Sequence, residues 1–421
     1  MNSRLPLAAL FAGITAACGG RDEAAWQGSI TDSAGIAVVQ NPSTGMWGPG
    51  DAWNVTETLR IGTAEGEPEY QFGRIPLAGS IALASDGRIV VLDAQGQHLK
   101  VFTPDGKYER TIGGPGGGPG EIGVATQSSM LMTPGDTVLM VDLGNQRVNL
   151  YLMGGEFVRS FPVDVAAGFP FRWELTSDGR VVAQLRKLNF TGEAGADSMD
   201  VLTVRRLDGT AGDTLMRVPS GKTVQFSGGL PEWNLFVPEP LWALWGDRIL
   251  MATNDTYRIG VYAPGPRLER VIEKPFTLIP VTDNDRDPLK RALRKAILDQ
   301  GAPPQLASQL VETRLHFAPN YPVFAQMLGG PYGSILVQLI EPLANLSDEE
   351  REKFDFTSGS AASRSWDVFD HEGRYLGVLN MPARFQPVKI RGSEIYGIQR
   401  DDLDVQYVVK LQVDTTARAT D

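Results

Sequence analysis

Six stretches of the chain share one pattern, a tight turn followed by a short apolar run. They are DGRIVVLD at 86–93, GDTVLMVD at 135–142, DGRVVAQL at 178–185, GDRILMAT at 246–253, YGSILVQL at 332–339 and GSEIYGIQ at 392–399. Apolar runs of this length, bounded by Gly and Asp, predict buried strands. A second series trails the first: LKVFTPDGKYERTI at 99–112, VNLYLMGGEFVRSF at 148–161, LTVRRLDGTAGDTL at 202–215, IGVYAPGPRLERVI at 259–272 and WDVFDHEGRYLGVL at 366–379. Each reads as strand, polar turn, strand, which is a hairpin. With one further strand ahead of each first-series motif, every unit holds four strands, so the expected fold is all-β, a six-bladed β-propeller with four-stranded blades.

The sixth hairpin is half missing, because YVVKLQVD at 407–414 runs into the C-terminus. Its outer strand must come from the N-terminal side, from residues 35–41 or 56–62. The second is favoured. LRIGTAEGEPEY at 59–70 mirrors RTIGGPGGGPGE at 110–121, with Gly66, Gly117 and Gly168 recurring at a spacing of 51. On this reading the six glycines and two prolines of Gly113–Gly120 form a blade-to-blade connector. Glycine allows a positive φ there, and proline stops the strand ladder. Gly118, Gly120 and Gly123, with Asp142 downstream, also match the spacing of a dinucleotide-binding fingerprint. That fingerprint must open a helix, whereas Pro119 sits inside this one and a hairpin strand follows.

Val141-Asp142-Leu143-Gly144-Asn145-Gln146-Arg147-Val148 resembles the NHL-repeat pattern V-x-D-x-x-N-x-R-V, and residues 35–414 resemble the six-bladed propellers of exported bacterial proteins. The resemblance implies the fold and leaves function open. Lyases of that group bind zinc through histidines, and quinone-dependent propeller dehydrogenases need a basic histidine. Neither set maps onto His98, His316 and His371, which fall in a turn, in a helical insertion and in a hairpin. A calcium site of the lactonase type needs only clustered oxygens, for which Asp142, Asn145, Asn254 and Asp255 are eligible. Asx residues in turns more often bond their own backbone.

In a propeller the second-to-third turn of each blade and the connector to the next blade emerge on one face, here called the upper face. Residues 283–316 interrupt the fourth connector and read as two helices broken at Gly301-Ala302-Pro303-Pro304. Leu289, Leu293, Ala296 and Ile297 give the first helix an apolar stripe, and Lys290, Arg291, Arg294 and Lys295 a basic cluster. Further insertions lie at 187–200 and 346–354, on the same face. Long loops on a rigid scaffold tend to carry function. The positions that follow each connector proline, Tyr70, Glu121, Arg172 and Trp233, are expected at the ligand face. The competing expectation is that each packs beneath its own connector.

Composition sharpens the picture in two respects. The net charge of −11 disfavours nucleic acid, since phosphate contact needs a basic patch. MNSRLPLAALFAGITAACGG, with Arg4 ahead of an apolar run and small residues before Cys18, has the layout of an export signal. Thr15-Ala16-Ala17-Cys18 resembles a bacterial lipobox, and Cys18 is the sole cysteine. The resemblance implies a signal peptide at 1–17, a lipid on Cys18, a tether at 18–34 and an outer-membrane location; an ordinary cleaved signal is the alternative. Residues 415–421 are expected as a tail. The functional expectation is a lipid-anchored, non-catalytic scaffold binding a protein, peptide or glycan without a cofactor. The alternative is a calcium-dependent, lactonase-like hydrolase at the central channel.

Overall fold

A computed structural model of the chain describes residues 26–124, 129–163, 168–186, 199–205, 213–221, 223–227, 230–263, 266–348, 351 and 362–415. Six four-stranded antiparallel units follow one another around a ring. Blade 1 comprises Ile81–Leu83, Ile89–Asp93, His98–Phe102 and Tyr108–Ile112. Blade 2 begins at Ser129–Met132, blade 3 at Phe169–Leu175, blade 4 at Pro240–Trp245, blade 5 at Gln326–Gly329 and blade 6 at Phe385–Arg391. These six segments are the innermost strands. Each expected apolar run forms a second strand, one step further out.

The second strands explain why the pattern was an unbroken run. Side chains alternate between the two faces of a strand, and here each face meets a neighbouring blade. Val90 and Leu92 join Val138, Met140 and Tyr151 in the core between blades 1 and 2. Ile89 and Val91 point the other way, to Tyr396, Ile398 and Val408 of blade 6. Leu139 and Val141 of blade 2 likewise meet Val181, Ala183 and Leu185 of blade 3. Similar cores join blades 3 and 4, 4 and 5, and 5 and 6.

Ring closure is non-covalent. Asn54–Ile61 pairs antiparallel with Gln406–Asp414 and supplies the outer strand of blade 6, as the glycine mirror predicted. The rival segment has another role: Ile36–Gln40 adds in parallel to Leu268–Glu273, the outer strand of blade 4. Ser29–Ser33 pairs with it in turn, making that blade six-stranded. The expected tether at 18–34 is thereby corrected, because its last residues belong to a sheet. Residues 1–25 and 416–421, the expected signal peptide, anchor and most of the tail, lie outside the described residues.

Helix α1, Asp283–Asp299, and helix α2, Pro304–Arg314, occupy the expected insertion. Among the described residues no helix is long and apolar enough to cross a membrane.

Closure makes a specific demand on Ile61, which is 1% exposed within the core shared by blades 6 and 1. Ile61→Ala should cost about 2–5 kcal/mol in urea unfolding. Ile30→Ala, on the outermost strand and 49% exposed, should change stability by no more than about 0.5 kcal/mol. Equal costs for the two would contradict closure through residues 54–61.

Candidate functional site

The glycine-rich connector is held by the motif that resembles the NHL pattern. Asp142 is fully buried and accepts from the backbone N–H of Gly123 and Asn145 and from the Asn145 amide. Arg147, 3.4 Å from that carboxylate, donates to the carbonyls of Gly117, Gly118 and Glu121. Asn149 also reaches Glu121, and the Tyr151 hydroxyl donates to Gly120. Glycine is required at the end of the cluster, where Gly120 has φ +75° and a Cβ would lie 3.0 Å from Phe157. Blade 1 repeats the device with other residues. Asp93 accepts from Gly73, Arg74 and Gly96, while Lys100 donates to the carbonyls of Pro68 and Gln71.

These contacts give most of the expected ligand-face residues partners within or beneath their connectors. Tyr70 accepts a hydrogen bond from the Tyr108 N–H and packs, tilted, with its ring centroid 5.8 Å from that of Phe102. The Glu121 carboxylate caps the Gly118 N–H. Trp233 packs against the core of the helical region. Of the eligible calcium ligands, Asp142 and Asn145 belong to blade 2, while Asn254 and Asp255 belong to a turn of blade 4, so the structure does not gather them. The Asn254 side chain accepts from the Glu239 N–H and donates to the Phe324 carbonyl. Among the described residues no three His, Cys, Asp or Glu side chains are grouped for a metal.

Two connectors and one turn build a cap on the upper face. Val224–Ser227 and Leu230–Leu235, from the connector between blades 3 and 4, form a small sheet with Leu315–Phe317, which follows α2. Leu289, Leu293 and Val311 of the helices share a core with Leu235, Phe236, Tyr321 and Leu343. Residues 187–198 and most of 346–354, also expected to elaborate this face, lie outside the described residues. Asp285 ties the cap to blade 5. It closes a capping box with Thr282 and accepts from the Ala344 N–H at 2.7 Å. Burial opposes its ionisation, but the hydrogen bonds from Thr282 and Ala344 prevail and hold its carboxyl below the ordinary value. Lys290, Arg291, Arg294 and Lys295 are all exposed on the outer side of α1. Lys295 pairs with Asp299, and Lys290 lies 3.8 Å from Asp287. Arg291 and Arg294 have no carboxylate partner among the described residues.

At the opposite, lower face lies a cavity of ≈ 760 Å³, lined by inner strands and turns of blades 3 to 6 together with Arg248 and Arg270 from the second and outer strands of blade 4. Arg172, expected at the upper face, lines this cavity instead. Its guanidinium pairs with Glu174, lies 4.8 Å from the Trp242 ring and donates to the Trp242 carbonyl. Arg248, Arg270 and Lys389 join it from blades 4 and 6, positions that no local motif connects.

The fold and these contacts define a β-propeller with six blades and a capped upper face. A family profile described as a six-bladed beta-propeller matches residues 78–171, blade 1 through the start of blade 3. Among solved structures, a Bacteroides fragilis protein described as exported aligns over 90% of this chain and 99% of its own, with a TM-score of 0.51 at 11% identity. A virginiamycin B lyase from Staphylococcus aureus aligns over 86% of this chain and 99% of its own, with a TM-score of 0.39 at 8% identity. A gluconolactonase from Xanthomonas campestris aligns over 85% and 99%, with a TM-score of 0.41 at 8% identity. At 11% identity the likeness to the Bacteroides fragilis protein bears on the fold alone. No curated protein matches the sequence.

Two measurements separate structural from ligand roles. Asp142→Ala, which strands Arg147 and the connector N–H groups, should cost about 3–5 kcal/mol. The loss should be the same with calcium or with chelator; a calcium-dependent loss would return Asp142 to the ligand set. Asp285, with its depressed folded pKa, contributes stability that is present above the unfolded value near ~3.9 and lost as pH falls below it. Asp285→Asn should cost about 1–3 kcal/mol at neutral pH and flatten the acid limb of stability against pH. An unchanged limb would show that other carboxylates dominate it.

Proposed function

We propose that the chain is an extracytoplasmic propeller, tethered by a lipid on Cys18, that binds an acidic protein, peptide or glycan through its cap without transforming it. The observation that carries the reading is the cap itself. Two connectors and a turn have been elaborated into a helix-and-sheet layer with a separate core, and its outer side displays four exposed cations on a chain of net charge −11. Two of the four pair with Asp287 and Asp299 of the same helix, and the other two, Arg291 and Arg294, attract anions over roughly a Debye length, ~8 Å at physiological salt. The arrangement of Arg4, the apolar run and the lone Cys18 supports export and anchoring.

Replacing Lys290, Arg291, Arg294 and Lys295 with glutamine should leave folding intact, because exposed substitutions rarely exceed ~0.5 kcal/mol each. On arrays of acidic and neutral peptides and glycans, wild-type protein should select acidic members, and the variant should lose them. Hits that survive the change would move the binding face elsewhere. In the same cells, Cys18→Ser should shift the protein from the membrane to the soluble fraction; identical fractionation would remove the anchor.

A further inference from the structure

The cavity at the lower mouth of the channel carries a charge pattern that neither fold nor cap explains. Its lining includes Arg172, Arg248, Arg270 and Lys389, with Glu174 the one carboxylate among the lining residues. The carboxylates close by are already engaged. Glu174 holds Arg172. Glu269 is shared between Arg248 and Arg267. Asp370 and Glu372 both hold Arg374. Arg270 is left with a backbone partner, the His371 carbonyl at 2.8 Å, and Lys389 has no ion pair among the described residues.

Arg270 is half-buried and Lys389 exposed. The carboxylates that act on Arg270, Glu372, Asp370 and Glu269, each pair with another arginine, so its charge is only partly compensated and an anion in the cavity would complete the compensation. Burial, and after it the neighbouring Arg248 charge, push the Arg270 guanidinium below its ordinary value. The cavity is half open to solvent, and its ≈ 760 Å³ lies within the range typical of small-molecule sites. Trp245 and Tyr332 also line it. The Trp245 indole N–H is fixed on the Gly333 carbonyl, in an inner turn of blade 5, and the Tyr332 hydroxyl on the Val413 carbonyl, in the third strand of blade 6, so both rings are held in place. Rings held in this way form apolar walls for a ligand body beside the charged groups.

We propose that the lower channel mouth is a binding site for a small organic anion, a ring-bearing carboxylate or phosphate, with Arg270 and Lys389 holding the charged group and Trp245 flanking the ring. A guanidinium presents a planar fork suited to either oxyanion, and a lysine adds a point charge. The site lies across the molecule from the cap and is independent of the function proposed for it. First-to-second turns of blades 4, 5 and 6, at Gly246, Gly333 and Gly392, line the cavity, whereas the cap grows from connectors.

Calorimetric titration of the full chain with glucuronate, glucose 6-phosphate and neutral glucose, at low and moderate salt, tests the proposal. At least one of the two anions should bind, more weakly as salt rises, and glucose should not. Relative strengths of glucuronate and glucose 6-phosphate then assign the group as carboxylate or phosphate. The Arg270→Gln/Lys389→Gln double variant should weaken binding about tenfold or more. Lys389→Gln alone, an exposed change that leaves the Arg270 contact in place, gives an intermediate loss should the double variant melt early. Absence of binding by both anions at millimolar concentration, equal binding of glucose, or affinity unchanged in both variants would overturn the proposal.

Discussion

Everything in this molecule depends on second strands buried on both faces. A sheet of four strands cannot stand alone when its central strand is apolar on either side, so each blade is stable only between two others. Leu139 needs blade 3 as much as Met140 needs blade 1. The requirement propagates around the ring until the last blade must meet the first, which makes closure through Asn54–Ile61 a condition of folding rather than a local detail. It also explains why the chain departs from six equal blades where it can. Blade 4 carries two extra strands at its outer edge, where additions leave the inter-blade packing untouched.

Packing faces together does not fix where the chain crosses from one outer edge to the next inner strand. That task falls to hydrogen bonds from buried polar residues. Asp142 and Asp93 occupy the same place in successive blades, each at the end of a second strand and each holding the following turn and the incoming connector. A glycine-rich connector makes few side-chain contacts, so its carbonyls need donors from outside, and Arg147, Asn149 and Tyr151 supply them. Residues that look like the makings of a ligand set are in this fold the fasteners of its loops.

The two faces are then free to differ. Connectors above have room to grow because they leave the ring at its rim, and the cap exploits this with a core of its own. Turns below are short, so the side chains that line the lower cavity come mostly from strands, as Arg172, Arg270 and Lys389 do. Both faces gather positive charge in a chain that is acidic as a whole, and they do so by different means: one helix supplies the upper cluster, three blades supply the lower.

The sequence by itself determined the blade count, the four strands per blade, the role of the glycine cluster, the closing strand and the helical insertion. Each of these is written in local pattern: apolar runs, turn residues, a repeat of 51, a helical stripe broken at Gly301-Ala302-Pro303-Pro304. It also raised, without deciding, whether Tyr70 and Trp233 face a ligand or a core, since an aromatic residue in a loop satisfies either pattern. Tertiary structure showed the core contacts both make, along with the pairing of Ile36–Gln40 to blade 4 and the lower cavity. The physical reason is separation along the chain. Val38 and Val271, or Arg172 and Lys389, become neighbours only when the ring closes, and no periodicity in the sequence records which edges and which channel-lining positions will then meet.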